Sequence, residues 1–495
     1  MANVFVGRTE VSNNLIKRLN GFQEGYRQNI AIISDTGIGK TTLIENLLSD
    51  ANKQIFNIFI IDVRETDLFS SICLRTKNFY LSDIKQTNNL LESAVSLSKS
   101  GENTKAFEKI LQVSSILSKI TGKKTLFIIE DFDLLERFNI HRLFERLSKT
   151  IMVEKDTMIF LTSSRQKTAK HILSKKFSLL FGNFEILHLQ PFSVSESMHY
   201  IDTYFKNTGE DIKKFLIYLT LGYPLYLKTL SGLPLINCDT ISESLSSASS
   251  SVYQIFKRKT ETEGRELDTV GFNILNIICN GTSKISDIIE LSKCTKNGWA
   301  KNIKMLEDIG WINRFGNFYT ISVPLFGVWL SQIFVPEQNS PFIYPGKFYK
   351  DAHCYIEKVR EDFFKNCSRK PEDILKSAIC CFNGEKIGFE DEYIEIPKLE
   401  SLSIDYLNES ISCITGKNNK KDWFFPVSNK FVEEKDIETF LKWLPVKPKK
   451  CRIEWLALNS IGLNARIVAK ESRINIREIE WINLALRCQN IMPII

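Results

Sequence analysis

A chain of 495 residues is too long for one ordinary hydrophobic core, so two to four domains are expected. With 43% hydrophobic and 25% charged residues, no apolar run of spanning length and no basic-then-apolar leader in MANVFVGRTE, it reads as a cytoplasmic globular protein and excludes a membrane role. A formal charge of +7 permits nucleic-acid binding without arguing for it; 11 cysteines without CxxC spacing and five dispersed histidines argue for reduced thiols over disulfides or zinc.

Phe5 to Glu10 reads FVGRTE and leads into a helical pattern at Val11, Leu15, Ile16 and Leu19, with Thr9 suited to cap it. From Asn29 to Leu48, NIAIISDTGIGKTTLIENLL, a short apolar strand (Ile30–Ile33), a loop with two glycines and a helix beginning near Lys40 follow in the order of a P-loop. Gly37 and Gly39 let the backbone of Thr36, Gly37, Ile38 and Gly39 turn its N–H groups inward around a phosphate chain, with Thr42 just inside the helix. Lys40 reaches the outer phosphates, Thr41 offers a hydroxyl to Mg2+, and the helix start adds its positive dipole end. The first glycine of the motif is Ser34 here, whose Cβ alters the loop's entry.

Phe56 to Asp62 is an apolar run of strand length, and the pattern is then helical up to Thr121-Gly122. Lys123 to Asp133, KKTLFIIEDFD, describes a buried strand that delivers two carboxylates beside the P-loop, a Walker B arrangement. One of Glu130 and Asp131 holds Mg2+ and its neighbour orients or deprotonates the attacking water. Their order is Glu then Asp, the reverse of the usual one, so the metal-side arm is longer and the base-side arm shorter by one methylene. A further strand, Met158–Leu161, runs into Thr162-Ser163-Ser164-Arg165.

Taken together these boxes resemble AAA+/STAND ATPases of the archaeal-ATPase and origin-recognition type. FVGR-x-E ahead of the P-loop resembles the start of those families, which implies that Val6, Gly7 and Arg8 line the base end of an ATP pocket. FLTSSR resembles the polar strand end of NACHT and other STAND ATPases, which implies that Arg165 senses the terminal phosphate. Within LLFGNFEILHLQPF the resemblance implies an arginine finger after LFG, where this chain has Asn183; Lys175 and Lys176 are weak substitutes. Leu221-Gly222-Tyr223-Pro224-Leu225 looks like the GxP motif of the STAND lid, with Pro224 in the first turn of a helix that presses on the nucleotide.

The distal half begins with a serine-rich stretch, Ser242–Ser251, and the charged segment Lys257–Glu266, expected to form a hinge. Leu267–Trp329 fits a winged helix: helices over Val270–Cys279, Ser286–Leu291 and Thr295–Asp308, then a ribbon turning at Gly316-Asn317. In the long helix Ala300, Ile303, Leu306 and Ile309 are expected inward. Lys296, Asn297, Lys301 and Lys304 are then outward, where with Arg314 they would meet DNA phosphates. The competing reading, which we favour, is a packing domain that closes over nucleotide, because the lysines are few and no arginine cluster promises base readout.

YTISVPLFGVWL again resembles the archaeal-ATPase family, which implies a C-terminal domain related to restriction endonucleases after a linker at Pro336–Pro345. Strand-like runs at Tyr393–Ile396, Ser403–Tyr406, Trp423–Val427 and Arg452–Leu458, with a helix at Glu433–Trp443, suit that core. The positions an active nuclease would fill with Glu-x-Lys hold Pro426 and Ser428, leaving Asp405 alone, so nuclease chemistry is not expected.

The expected fold class is therefore α/β: a P-loop AAA+/STAND ATPase core over 1–192, a helical lid over 193–256, a winged helix over 257–335 and a nuclease-like α/β domain over 346–495. Bound ATP and Mg2+ would set how the distal modules dock, and these would report to double-stranded DNA or a protein partner; a homo-oligomer is consistent with related ATPases. Two alternatives stay open: a DNA-binding regulator whose nucleotide is structural and slowly hydrolysed, and a restriction-like effector cutting DNA through Asp405.

Overall fold

A computed structural model describes residues 5–48, 54–64, 68–75, 85–177, 183–205, 208–339, 345–389, 392–418 and 421–494. The chain divides into two compact units, the first made of Met1–Tyr204, Gly222–Lys228 and Asp308–Gly310, the second of Phe205–Leu221, Thr229–Glu307 and Trp311–Ile495.

The first unit is built on a five-stranded parallel sheet of β1 (Asn29–Ile33), β2 (Asn57–Asp62), β3 (Thr125–Glu130), β4 (Thr157–Ser163) and β5 (Phe184–His188), in the order β2-β3-β4-β1-β5. The unbroken apolar runs of β1, β3 and β4 are buried along their whole length, as strands covered on both faces must be, whereas the edge strand β5 is only partly covered. Helices Asn103–Thr121 and Leu143–Val153 contribute Phe107, Ile110, Leu117, Leu147 and Ile151 to one face of this sheet, where Phe59 and Phe127 stack at 4.9 Å. Parallel pairing aligns all carboxyl ends on one edge, where open α/β sheets bind their ligands. The register of β2 on β3 sets Asp62 directly beside Glu130.

In the second unit the serine-rich region is helical and capped. Asn237 forms a reciprocal capping box with Thr240 ahead of helix Cys238–Ser246, and Ser250 caps helix Ser251–Thr262. The charged segment expected as a hinge from Lys257 is therefore regular helix through Thr262. Three helices follow, Thr269–Cys279, Ile285–Ser292 and Lys296–Asp308, then an antiparallel ribbon of β6 (Ile312–Phe315) and β7 (Phe318–Ile321). Ile303, Leu306 and Ile309 are buried as expected, but Ala300 is exposed and Asn302 takes the inward place against Gly271. Of the linker expected at Pro336–Pro345, residues 340–344 lie outside the described residues, and Val335–Asn339 is helical.

The ribbon's turn is not a free wing. Asn317 N donates to Lys386 O at 2.8 Å, Asn317 Nδ2 to Glu385 at 2.8 Å, and Gly316, at φ +65°, leaves no room for a Cβ, which would lie 2.1 Å from that same Lys386 carbonyl. The contacting strand, β8 (Lys386–Ile387), pairs with β9 (Ile394–Glu395).

Beyond it lies a second five-stranded sheet in linear order: β10 (Ser401–Tyr406), β11 (Ile411–Lys417), β12 (Asp422–Ser428), β13 (Cys451–Ala457) and β14 (Asn475–Glu478). β10, β11 and β12 are antiparallel; β12, β13 and β14 are parallel, joined by crossover helices Glu434–Trp443 and Leu463–Glu471. β11 was not expected, since ISCITGK carries too many small polar residues to read as a core strand, yet it is the buried second strand. Pro426, lacking an N–H, falls where the β12–β13 pairing is interrupted. Opposite that gap the buried Glu454 carboxylate accepts from Arg477 Nε (2.9 Å), Arg452 Nε (2.7 Å) and Asn475 Nδ2 (2.8 Å).

Candidate nucleotide-binding site

The loop after β1 has the backbone that its glycines imply: Gly37 at φ +86° and Gly39 at φ +95°, the latter capping helix Lys40–Leu47. A Cβ added at Gly39 would meet open space, whereas one at Gly37 would press on Leu225, whose N–H donates to Gly37 O at 3.1 Å. Gly222–Lys228 thus packs on this glycine loop, with Pro224 opening helix Pro224–Leu230. Gly222 is required there: at φ +70°, a Cβ would lie 2.2 Å from Phe192 O.

Lys40 is buried and folded back onto the loop. Its ammonium donates to Ser34 O and Asp35 O at 3.1 Å each and to Ser34 Oγ at 3.4 Å. The serine in place of glycine therefore adds an acceptor for the lysine. Asp35 accepts from Gln166 Nε2 at 2.7 Å and from the Tyr223 hydroxyl at 2.8 Å. Asp308 accepts from Thr168 N (3.0 Å) and Thr168 Oγ1 (2.7 Å) in the same unit.

The FVGR box reaches this loop. Val6 is buried, Gly7 faces Phe192, and Arg8 donates from Nη2 to Ile38 O at 3.4 Å and to Gln190 O, its guanidinium 5.2 Å from the Phe192 ring. Burial lowers the Arg8 pKa, and the Glu196 charge opposes that shift. Glu196 accepts from the N–H groups of Arg8 and Ser193 at 2.9 Å each.

At the carboxyl ends of β3 and β4 the acids are held by the polar tip. Asp131, in the left-handed region at φ +48°, donates its N–H to Thr162 Oγ1 (3.1 Å) and accepts from Ser164 Oγ (2.9 Å) on Oδ1. A third acid, Asp133, is buried behind them; burial, then the charge of Asp131, pushes its pKa up to about 7 against the help of Ser163 and Arg165. Glu130 points the other way, toward β2, where Arg64 joins it. Arg64 grips Asp62 with Nε (3.0 Å) and Nη2 (2.9 Å), donates from Nη1 to Thr41 Oγ1 (3.0 Å), pairs with Glu130 and lies 3.5 Å from Asp131 Oδ2.

Thr41, Glu130 and Asp131, foreseen as the metal side of the site, are thus brought together, and Asp62 and Arg64 join them unforeseen. The available signal was an apolar run ending in an acid, with an arginine two residues on. Hard oxygen donors arranged around a positive charge fit Mg2+. Among the described residues no cluster of three or more His, Cys, Asp or Glu forms a ready-made metal cage. Mg2+ does not need one, since it is held by one or two protein oxygens together with waters and phosphates.

The expected DNA-facing side chains are not gathered into one patch of free cations. Lys296, Asn297, Lys301, Lys304 and Arg314 are exposed, but Lys301 pairs with Asp268 at 3.4 Å and Arg314 Nε donates to Gly316 O at 3.3 Å in its own turn. Lys176 pairs with Glu136 over the Phe144 ring. Asn183 is exposed at the start of β5, and the LFG before it lies outside the described residues. Asp405 is exposed on the edge strand, and Ser428 Oγ accepts from Trp455 Nε1 at 3.0 Å.

No protein family matches the sequence, and no curated protein matches it. Among solved structures, the chain is similar to the Walker-type ATPase PABY2304 of Pyrococcus abyssi at a TM-score of 0.46 and 15% identity, covering 66% of this chain and 96% of that one. The ORC2 protein of Aeropyrum pernix, as ADPNP-ADP complexes, gives 0.42 and 13% over 72% and 97%. The ORC1 protein of Aeropyrum pernix in complex with DNA gives 0.37 and 13% over 68% and 95%. At such scores the likenesses decide nothing. The parallel five-stranded α/β sheet with its glycine loop is itself consistent with a P-loop ATPase fold. No helix among the described residues is long and apolar enough to cross a membrane.

Proposed function

We propose that this chain binds ATP with Mg2+ at the edge of the first sheet and uses the bound triphosphate as a switch, in the manner of AAA+/STAND ATPases. The observation that carries this reading is the convergence on one edge of the Gly37-Gly39 loop, Lys40, Thr41 and the β3 acids, brought together by strand order from stretches far apart in sequence. In the reading, loop amides of Thr36 to Gly39 and Thr42 cradle phosphates, Lys40 exchanges its loop carbonyls for phosphate oxygens, and Val6, Gly7 and Arg8 flank the base. Thr41 and Glu130 face the cation, Asp131 orients water, and Arg165 senses the terminal phosphate. Mg2+, when bound, would neutralise the phosphate charge. Pro224 and its neighbours, already on the loop, respond to the occupant. Calorimetric titration of ATP and Mg2+ into the wild type and Lys40→Ala tests this: heat of binding in the wild type, lost in the variant, is expected, and no binding by the wild type overturns it.

A second reading, that nucleotide is structural and slowly hydrolysed, is favoured by the Arg64–Glu130 pair and by Asn183 at the finger position. Single-turnover hydrolysis decides between the two. We read the helices and ribbon of residues 267–329 as a winged helix used for packing more than for DNA, since its turn is covered by Lys386. The C-terminal sheet we read as nuclease-like in strand order without nuclease chemistry, which fits a reporter to a protein or DNA partner.

A further inference from the structure

Arg64 stands among the oxygens that the proposed function assigns to a divalent cation. Its guanidinium touches Thr41 Oγ1, Glu130 Oε2 and both oxygens of Asp62, with Asp131 Oδ2 at 3.5 Å. The acids are deeply covered, with side chains 5% and 6% exposed for Glu130 and Asp131, whereas Arg64 remains 35% exposed. The β2–β3 register sets the carboxylate-bearing Asp62 beside Glu130, with Asp131 next in sequence, and neighbouring carboxylates repel each other unless a cation lies between them. The arginine supplies that cation from the chain itself.

Two cations cannot use the same lone pairs. A guanidinium gives one delocalised charge in a planar fork, and Mg2+ gives two charges and demands octahedral oxygen ligands. Thr41 is decisive, because it belongs to the phosphate loop and not to the acid cluster. Arg64 thereby ties β2 to the loop that the nucleotide must occupy. The fork on Asp62, two residues back on the same strand end, is a contact that Arg64 can keep while it releases Thr41 and Glu130.

We propose that Arg64 is an internal counter-ion that competes with the divalent cation, so that tight nucleotide binding requires Mg2+ to displace the guanidinium from Thr41 and Glu130 while Asp62 retains it nearby. This rests on the nucleotide reading above and deepens it. Arg64 is then a regulatory residue that sets the Mg2+ concentration at which the switch loads, and it restrains Thr41 and Glu130 until the cation arrives.

The test uses the full chain as wild type, Arg64→Gln and Arg64→Lys, each checked by its thermal melt. A fluorescent ATP analogue is titrated at graded free Mg2+ and in EDTA, and Mn2+ uptake without nucleotide is read by electron paramagnetic resonance. Arg64→Gln is expected to lower the Mg2+ needed for half-maximal tight binding by roughly tenfold, the scale of one charged hydrogen bond, and to bind Mn2+ more tightly than the wild type. Arg64→Lys, which keeps the charge but not the fork, is expected in between. An unchanged or higher Mg2+ requirement overturns the proposal, as does equal Mn2+ affinity. Weaker analogue binding by Arg64→Gln than by the wild type in EDTA also overturns it, by making Arg64 a phosphate ligand. A wild type that binds no analogue at all defeats the nucleotide reading, and the Mn2+ comparison still decides the role of Arg64.

Discussion

Tyr223 donates its hydroxyl proton to the carboxylate of Asp35, a residue of the glycine loop after β1, across 188 positions of sequence. The same carboxylate accepts from Gln166, so one acid ties the loop to the stretch after β4 and to the stretch that opens helix Pro224–Leu230. Tyr223→Phe keeps the ring and its stacking on Tyr226 and removes only the donor. A stability loss of about 1 kcal/mol is expected in urea melts, the usual worth of one hydrogen bond. Release of a bound fluorescent nucleotide, followed by stopped flow, should be faster than in the wild type.

Glu196 provides a pH dependence. Burial would raise its pKa, but the backbone hydrogen bonds from Arg8 and Ser193 prevail and hold it below the ordinary carboxylate value. A depressed folded-state pKa contributes stability above the unfolded value, and that contribution drains away as pH falls through the folded one. Glu196→Gln should therefore lower the melting temperature at neutral pH. The gap between variant and wild type should narrow as pH falls below the ordinary carboxylate range and close only once the carboxylate is protonated in the folded state as well.

Gly316→Ala tests the covered turn. A left-handed φ and a Cβ 2.1 Å from Lys386 O predict a loss of roughly 1–3 kcal/mol or separation of the ribbon from β8. Limited proteolysis between residues 384 and 398 should accelerate in the variant while nucleotide affinity stays unchanged.

Lys301→Ala combined with Lys304→Ala addresses DNA. With Lys301 paired to Asp268 and the turn covered, the double variant is expected to retain the wild-type affinity for duplex DNA and its salt dependence. A salt slope smaller by about one for each lost phosphate contact would return this helix to a DNA-binding role.

What the sequence made legible follows from distance along the chain. The loop after β1 concentrates Gly37, Gly39, Lys40 and Thr41 in one contiguous run, and the β3 acids end a run of apolar residues, so their places at the strand ends could be read directly. Arg64 could not, because its partners Thr41 and Glu130 lie 23 and 66 residues away and meet it only in the folded sheet, Glu130 through the register of β2 on β3. Asp35 was hidden for the same reason. β11 escaped because its burial comes from neighbouring strands and not from its own hydrophobicity, and Ala300 was misassigned because Asn302 faces Gly271 on the inward side of the helix.

The Glu454–Arg477 pair has a temporal consequence. The buried arginine that Glu454 on β13 pairs with comes from the later strand β14, and breaking a buried ion pair by removing one partner costs about 3–5 kcal/mol. A nascent polypeptide that has emerged through β13 but not β14 therefore holds Glu454 with the half-exposed Arg452 alone, without the buried guanidinium of Arg477. Closure of that sheet waits for β14 to leave the ribosome, so during synthesis the second sheet should become resistant to proteases later than the first.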